Sequence, residues 1–150
     1  MKIQRGKTAL DPAFYGDLRD AVTTTHALLI KADLASPEVR AYLNEVRVIL
    51  SSRMVSAAGS AQLRKHSITL NVRMLTEHRH LLLTTVVHEI AHLVACKFFG
   101  EPGHGKPWKE LMIKLGQQPT RCFREPTSPV LDLPLGSGEA LKARLLLSVG

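Results

Sequence analysis

Between Leu81 and Phe99 the chain is almost wholly apolar, yet His88, Glu89 and His92 interrupt the run. Nineteen apolar-rich residues would suit a membrane span, but three ionisable groups inside one would be costly there. The stretch reads instead as a buried helix with one polar face. Its start falls between Glu77 and His80, and Gly100 is placed to end it in left-handed geometry. On such a helix, residues i and i+4 project from the same face about 6 Å apart. His88 and His92 can therefore share one metal ion. Glu89 lies beside that line, where the H-E-x-x-H pattern uses a glutamate as general base rather than as ligand. Zinc is the expected ion, because neutral imidazole suits it and it brings no redox chemistry.

A catalytic zinc takes three protein ligands and keeps one position open. Cys96 continues the i+4 series, but His88 and Cys96 are about 12 Å apart along a helix axis, too far for one ion. Cys96 reads as a packed thiol. His104 is the candidate third ligand, because it follows the Gly100 stop and the Glu101-Pro102-Gly103 turn and sits between two glycines. The alternative for His104 is a solvated loop histidine, and Glu110 is a weaker candidate ligand. Trp108, one turn further, can wall the site.

The remaining chain reads as an α+β domain. Asp11-Pro12 and Ser36-Pro37 are helix starts, each a capping side chain followed by proline in the first turn. Apolar residues alternate at Val46, Val48 and Leu50 and again at Ile68, Leu70 and Val72, predicting two strands. "SAAGSAQ" (56–62) between them reads as a turn. Trp108, Leu111, Met112 and Leu115 stripe a last helix opened by Pro107 and ended by Gly116. The expected boundaries are a domain over 1–118 and a proline- and glycine-rich extension over 119–150.

The 150 residues carry 20 Lys and Arg against 13 Asp and Glu, and the net +7 is unevenly spread. No acid occurs from Val46 to Thr76, where Arg47, Arg53, Arg64, Lys65 and Arg73 lie; such a patch suits a polyanion such as DNA. A solubilising surface is the alternative reading. Two cysteines cannot make a disulfide framework, and the N-terminus has no apolar segment of signal-peptide type. A cytoplasmic protein with no membrane partner is the expectation.

With "HEIAHLVACKFFGEPGHGKPWKELMIKLG" assembled, the chain resembles the SprT-like family, which includes bacterial SprT proteins and the DNA–protein crosslink protease Spartan. His88, Glu89, His92, His104, Gly105 and Trp108 match its H-E-x-x-H and H-G-x-x-W motifs. The strand region also looks like the family's, with Ala58-Gly59 in a turn. The resemblance spans roughly residues 10–118. It implies a zincin-like metalloprotease domain that holds Zn2+, acts on protein substrates and associates with DNA, nucleoid-associated if bacterial. Residues 119–150 hold only Cys122, so the four-cysteine zinc ribbon of many bacterial SprT proteins cannot form there. Two other readings stay open: a DNA-binding module with a structural zinc, and a DNA-independent regulatory zinc peptidase. Tyr42, Arg53 and His66 are weak candidates for stabilising an oxyanion.

Overall fold

Both proline-marked helix starts form in the computed structural model, which describes residues 1–4 and 11–120. The Asp11 carboxylate accepts the Ala13 N–H at 3.2 Å and opens α1 (Pro12–Lys31). The Ser36 hydroxyl accepts the Val39 N–H at 3.2 Å and opens α2 (Pro37–Asn44). Each satisfies a helix N–H that has no carbonyl partner within the helix.

Four strands form one mixed sheet: β1 (Lys2–Gln4), β2 (Arg47–Ser51), β3 (Gly59–Gln62) and β4 (Ser67–Asn71), in the order β1-β2-β4-β3. β2 runs parallel to both β1 and β4, with Val48 opposite Ile68 and Leu50 opposite Leu70. β3 is antiparallel to β4, pairing Gly59 with Leu70 and Gln62 with Ser67. Val48, Leu50, Ile68 and Leu70 are buried, as the alternation predicts.

Three elements depart from the sequence expectation. The stretch expected as a turn holds β3, a strand of small residues whose place is set by packing against the long helix rather than by β-propensity. The alternation through Val72 and Arg73 ends early, at Asn71. That buried side chain accepts the Met74 N–H at 3.1 Å, and its amide donates to the Met54 and Ala57 carbonyls at 3.2 and 2.7 Å. Asn71 thus caps α3 (Val72–Glu77) and pins the loop before β3. β1 had no counterpart in the expectation.

The long helix, α4, runs Leu82–Phe99 after a single 3-10 turn at Arg79–Leu81, so it begins two residues beyond the expected window. Every residue from 85 to 95 is buried, which makes α4 the spine of the core, with α1, β3 and the last helix, α5 (Lys106–Lys114), packed around it. By length and composition, residues 79–99 would span a membrane, but 72% of the most apolar window is buried inside the domain. Arg79 ties the start of α4 to α1: its guanidinium bonds Asp17 at 2.5 Å and lies 5.1 Å from the Phe14 ring centre. Residues 121–150, which include Cys122 and all but the first two residues of the expected extension, lie outside the described residues.

Candidate metal centre

α4 presents His88 and His92 on one face, one turn apart, and both rings are buried. The helix then stops at Gly100, whose φ of +69° is a conformation glycine adopts at little cost. The Gly100 and Glu101 amides bond back to the Cys96 and Ala95 carbonyls at 3.2 and 3.0 Å, turning the chain over the helix end. The Glu101 carboxylate bends over the turn, accepts the Gly103 N–H at 3.4 Å, and fills the place that a side chain at Gly105 would take. Gly105 then caps α5. This folded loop delivers His104 to the two helix histidines.

The three imidazoles offer one ring nitrogen each, and all three lie within 4.8 Å of one another. The Nε2 atoms of His92 and His104 are 3.0 Å apart. Trp108, fully buried, closes the floor. Its ring centre is 4.6 Å from His104, 4.8 Å from His88 and 5.3 Å from His92, against which it stacks at 22°.

Electrostatics suit this cluster to a cation. Burial, with the neighbouring imidazoles adding to it, pushes the His88 pKa down to about 2 and that of His92 down to about 4. Both rings are therefore neutral at physiological pH, the form in which imidazole ligates a metal. Glu89 is fully buried beside them, and among the described residues neither carboxylate oxygen has a hydrogen-bond partner. Burial alone raises its pKa well above the ordinary carboxylate range. An uncompensated buried carboxyl is expensive, and a cation held by the histidines supplies the missing counter-charge. The donor set and this carboxyl together fit a bound divalent ion.

Other candidates fall elsewhere. Cys96 is free and partly exposed rather than packed into the core, and it is outside the histidine group. Glu110 is exposed and pairs with Lys106 at 3.8 Å. Tyr42 and His66 stack on each other at 4.1 Å, with the His66 Nε2 2.8 Å from the Tyr42 carbonyl. The five basic residues divide between the two ends of the β2–β4 pair. Arg47, whose guanidinium donates to the Lys65 carbonyl at 3.1 Å, Arg64 and Lys65 lie at one end. Arg53 and Arg73 follow the opposite ends of β2 and β4, and both are exposed. The four steps of strand between the two groups span about 13 Å. Glu101 and the cap at Asn71 were missed by the sequence reading; the acid three residues before His104 and the Asn before a new apolar stretch were the available signals.

The SprT-like family matches residues 27–128. Over 123 residues the chain is 33% identical to Protein SprT of Cronobacter sakazakii, covering 81% of this chain and 68% of that one. Protein SprT of Salmonella newport is 31% identical over the same shares, and that of Photorhabdus laumondii is 41% identical over 59 residues, 38% of this chain and 30% of its own. No solved structure gives a significant match. The chain belongs to the SprT-like family.

Proposed function

We propose that this protein is a zinc-dependent metallopeptidase with a zincin-like catalytic domain over residues 1–118, acting on proteins bound or crosslinked to DNA. The observation that carries the reading is the meeting of three imidazoles with a buried carboxyl that has no hydrogen-bond partner among the described residues. Membership of the SprT-like family supports it. His88, His92 and His104 would hold the ion, and zinc is the metal such a set prefers. When bound, the ion supplies Lewis acidity toward a peptide carbonyl and an acidified water.

Glu89 then takes the proton of the attacking water and passes it to the departing amine. Among the described residues neither oxygen has a hydrogen-bond partner, which leaves both available for that traffic. Trp108 keeps bulk water from the rear of the histidines and fixes their rings by contact. β3 forms the outer edge of the sheet next to Glu89, so its backbone can pair with an extended substrate. A structural zinc would be closed by a fourth side chain, whereas the group among the described residues has three members.

For DNA, Arg53 and Arg73 are the favoured contacts. They share the sheet end at which Gly59 pairs with Leu70 and approaches Glu89. Contacts to phosphate carry no base preference. In a bacterium the protein would act in the cytoplasm, at the nucleoid. The test is cleavage of a basic DNA-bound protein by the zinc-loaded chain, with and without single-stranded DNA. Cleavage accelerated by DNA supports the whole reading. Cleavage indifferent to DNA leaves a DNA-independent peptidase, and none from the zinc-loaded chain favours the binding module.

A further inference from the structure

Gly59 opens β3 at the point where the sheet comes closest to α4, and its backbone is not in the left-handed region, unlike Gly100 and Gly116. The requirement for glycine at this position is therefore space rather than φ. A Cβ at position 59 would meet the Thr85 Cγ2 at 2.9 Å, the Thr69 carbonyl oxygen at 3.1 Å and the Glu89 Cγ at 3.3 Å. Thr85 and Glu89 are four residues apart on α4, so they form one ridge that faces β3. The Thr85 hydroxyl donates to the Leu81 carbonyl at 2.7 Å, which fixes where its methyl points.

The strand thus acts as a stop against which the Glu89 stem rests. Among the described residues no hydrogen bond holds the Glu89 carboxyl, so packing locates it, and this contact is part of that packing. The imidazole group is fixed instead by Trp108 and by the loop that Glu101 folds. The two halves of the site therefore have separate supports.

We propose that Gly59 is a positioning residue for Glu89: the missing side chain sets the depth at which the carboxyl sits beside the histidines. This rests on the reading of Glu89 as the proton carrier. A side chain at 59 displaces the glutamate by several tenths of an ångström and leaves the histidines in place. Misplacement of a reacting group by about 1 Å costs on the order of 100-fold in rate, so a smaller shift costs about tenfold.

The test uses Gly59→Ala in the full chain, alone and combined with Thr85→Ser, which deletes the methyl it meets and keeps the hydroxyl. The double variant is expected to bind one zinc and to regain most of the thermal stability lost by Gly59→Ala. Its kcat should fall about tenfold with KM within twofold of the unaltered chain. A kcat restored along with stability would overturn the proposal. A second measurement needs no activity: the Tm loss caused by Gly59→Ala, measured on metal-free protein, in the presence of Glu89 and in a Glu89→Ala background. The loss should shrink by half or more once the Glu89 stem is gone. An equal loss in both backgrounds would overturn the proposal even if the zinc-loaded chain cleaves nothing. Absence of cleavage with a shrunken loss would instead fault the peptidase reading and keep the contact.

Discussion

The histidine face of α4 and the basic ends of the sheet hold similar numbers of polar groups, but they are built on opposite terms. Around α4 the groups are buried, His104 partly so, and each leans on another: three rings share one volume, Trp108 touches all of them, and Glu89 has no hydrogen-bond partner among the described residues. At the sheet ends, Arg53, Arg64, Lys65 and Arg73 are exposed, and each is solvated independently of the rest. Burial makes charge interactions strong and mutually dependent, whereas solvent makes them weak and roughly additive. Single substitutions should therefore be severe in the first region and gradual in the second.

Removal of a ligand is the hardest test of that contrast. His92→Ala is expected to weaken zinc binding by more than about 100-fold, measured by competition with a chromophoric chelator. Near-native affinity would show that the rings do not share an ion. Trp108→Ala comes next, with an expected loss of about 3–5 kcal/mol in urea unfolding from deletion of a fully buried indole. A loss below about 1 kcal/mol would mean that the floor of the site collapses easily.

Acidity gives a finer separation within the buried group. Folding depresses the His88 and His92 pKa values, so below about pH 6.5 the unfolded chain binds more protons and stability falls on acidification toward pH 4. Glu89 has the opposite sign. Its pKa is raised by folding, so above about pH 4.5 the folded chain retains a proton that the unfolded chain has released. Metal-free wild-type protein should thus lose ground to Glu89→Gln as pH rises from 4.5, seen in urea midpoints at pH 4.5, 5.5 and 6.5. A constant gap would show that the carboxyl finds a partner in solution.

The smallest effect belongs to the sheet ends. Replacing Arg53 and Arg73 together by alanine should lower the salt dependence of single-stranded DNA binding by about 1.4 in logarithmic slope. Replacing Arg64 and Lys65 should change it less. Equal effects would mean that both ends meet DNA, and the contrast between them would be lost.

The same division decided what could be read from the sequence. α4, its histidine pair, the Gly100 stop and both capped N-terminal helices rest on local spacing, so they are legible in the sequence. His104 was legible because glycines flank it and a strong stop precedes it. β3 was not, because "GSAQ" has no strand signal of its own and takes its form from contact with α4 and β4. Asn71 was hidden because an alternating pattern runs straight through it, while its side chain bonds residues 14 and 17 positions away. The clustering of basic residues in sequence was visible, but their separation to two ends depends on strand register.

On the proposed function, the buried carboxyl beside three histidines moves the proton in peptide hydrolysis. The most direct test of that role is the rate at which Glu89→Gln, carrying one zinc per chain, cleaves a basic DNA-bound protein beside the unaltered chain at equal zinc. The account predicts cleavage by the unaltered chain and only background from the variant. Cleavage at comparable rates by the two would contradict it.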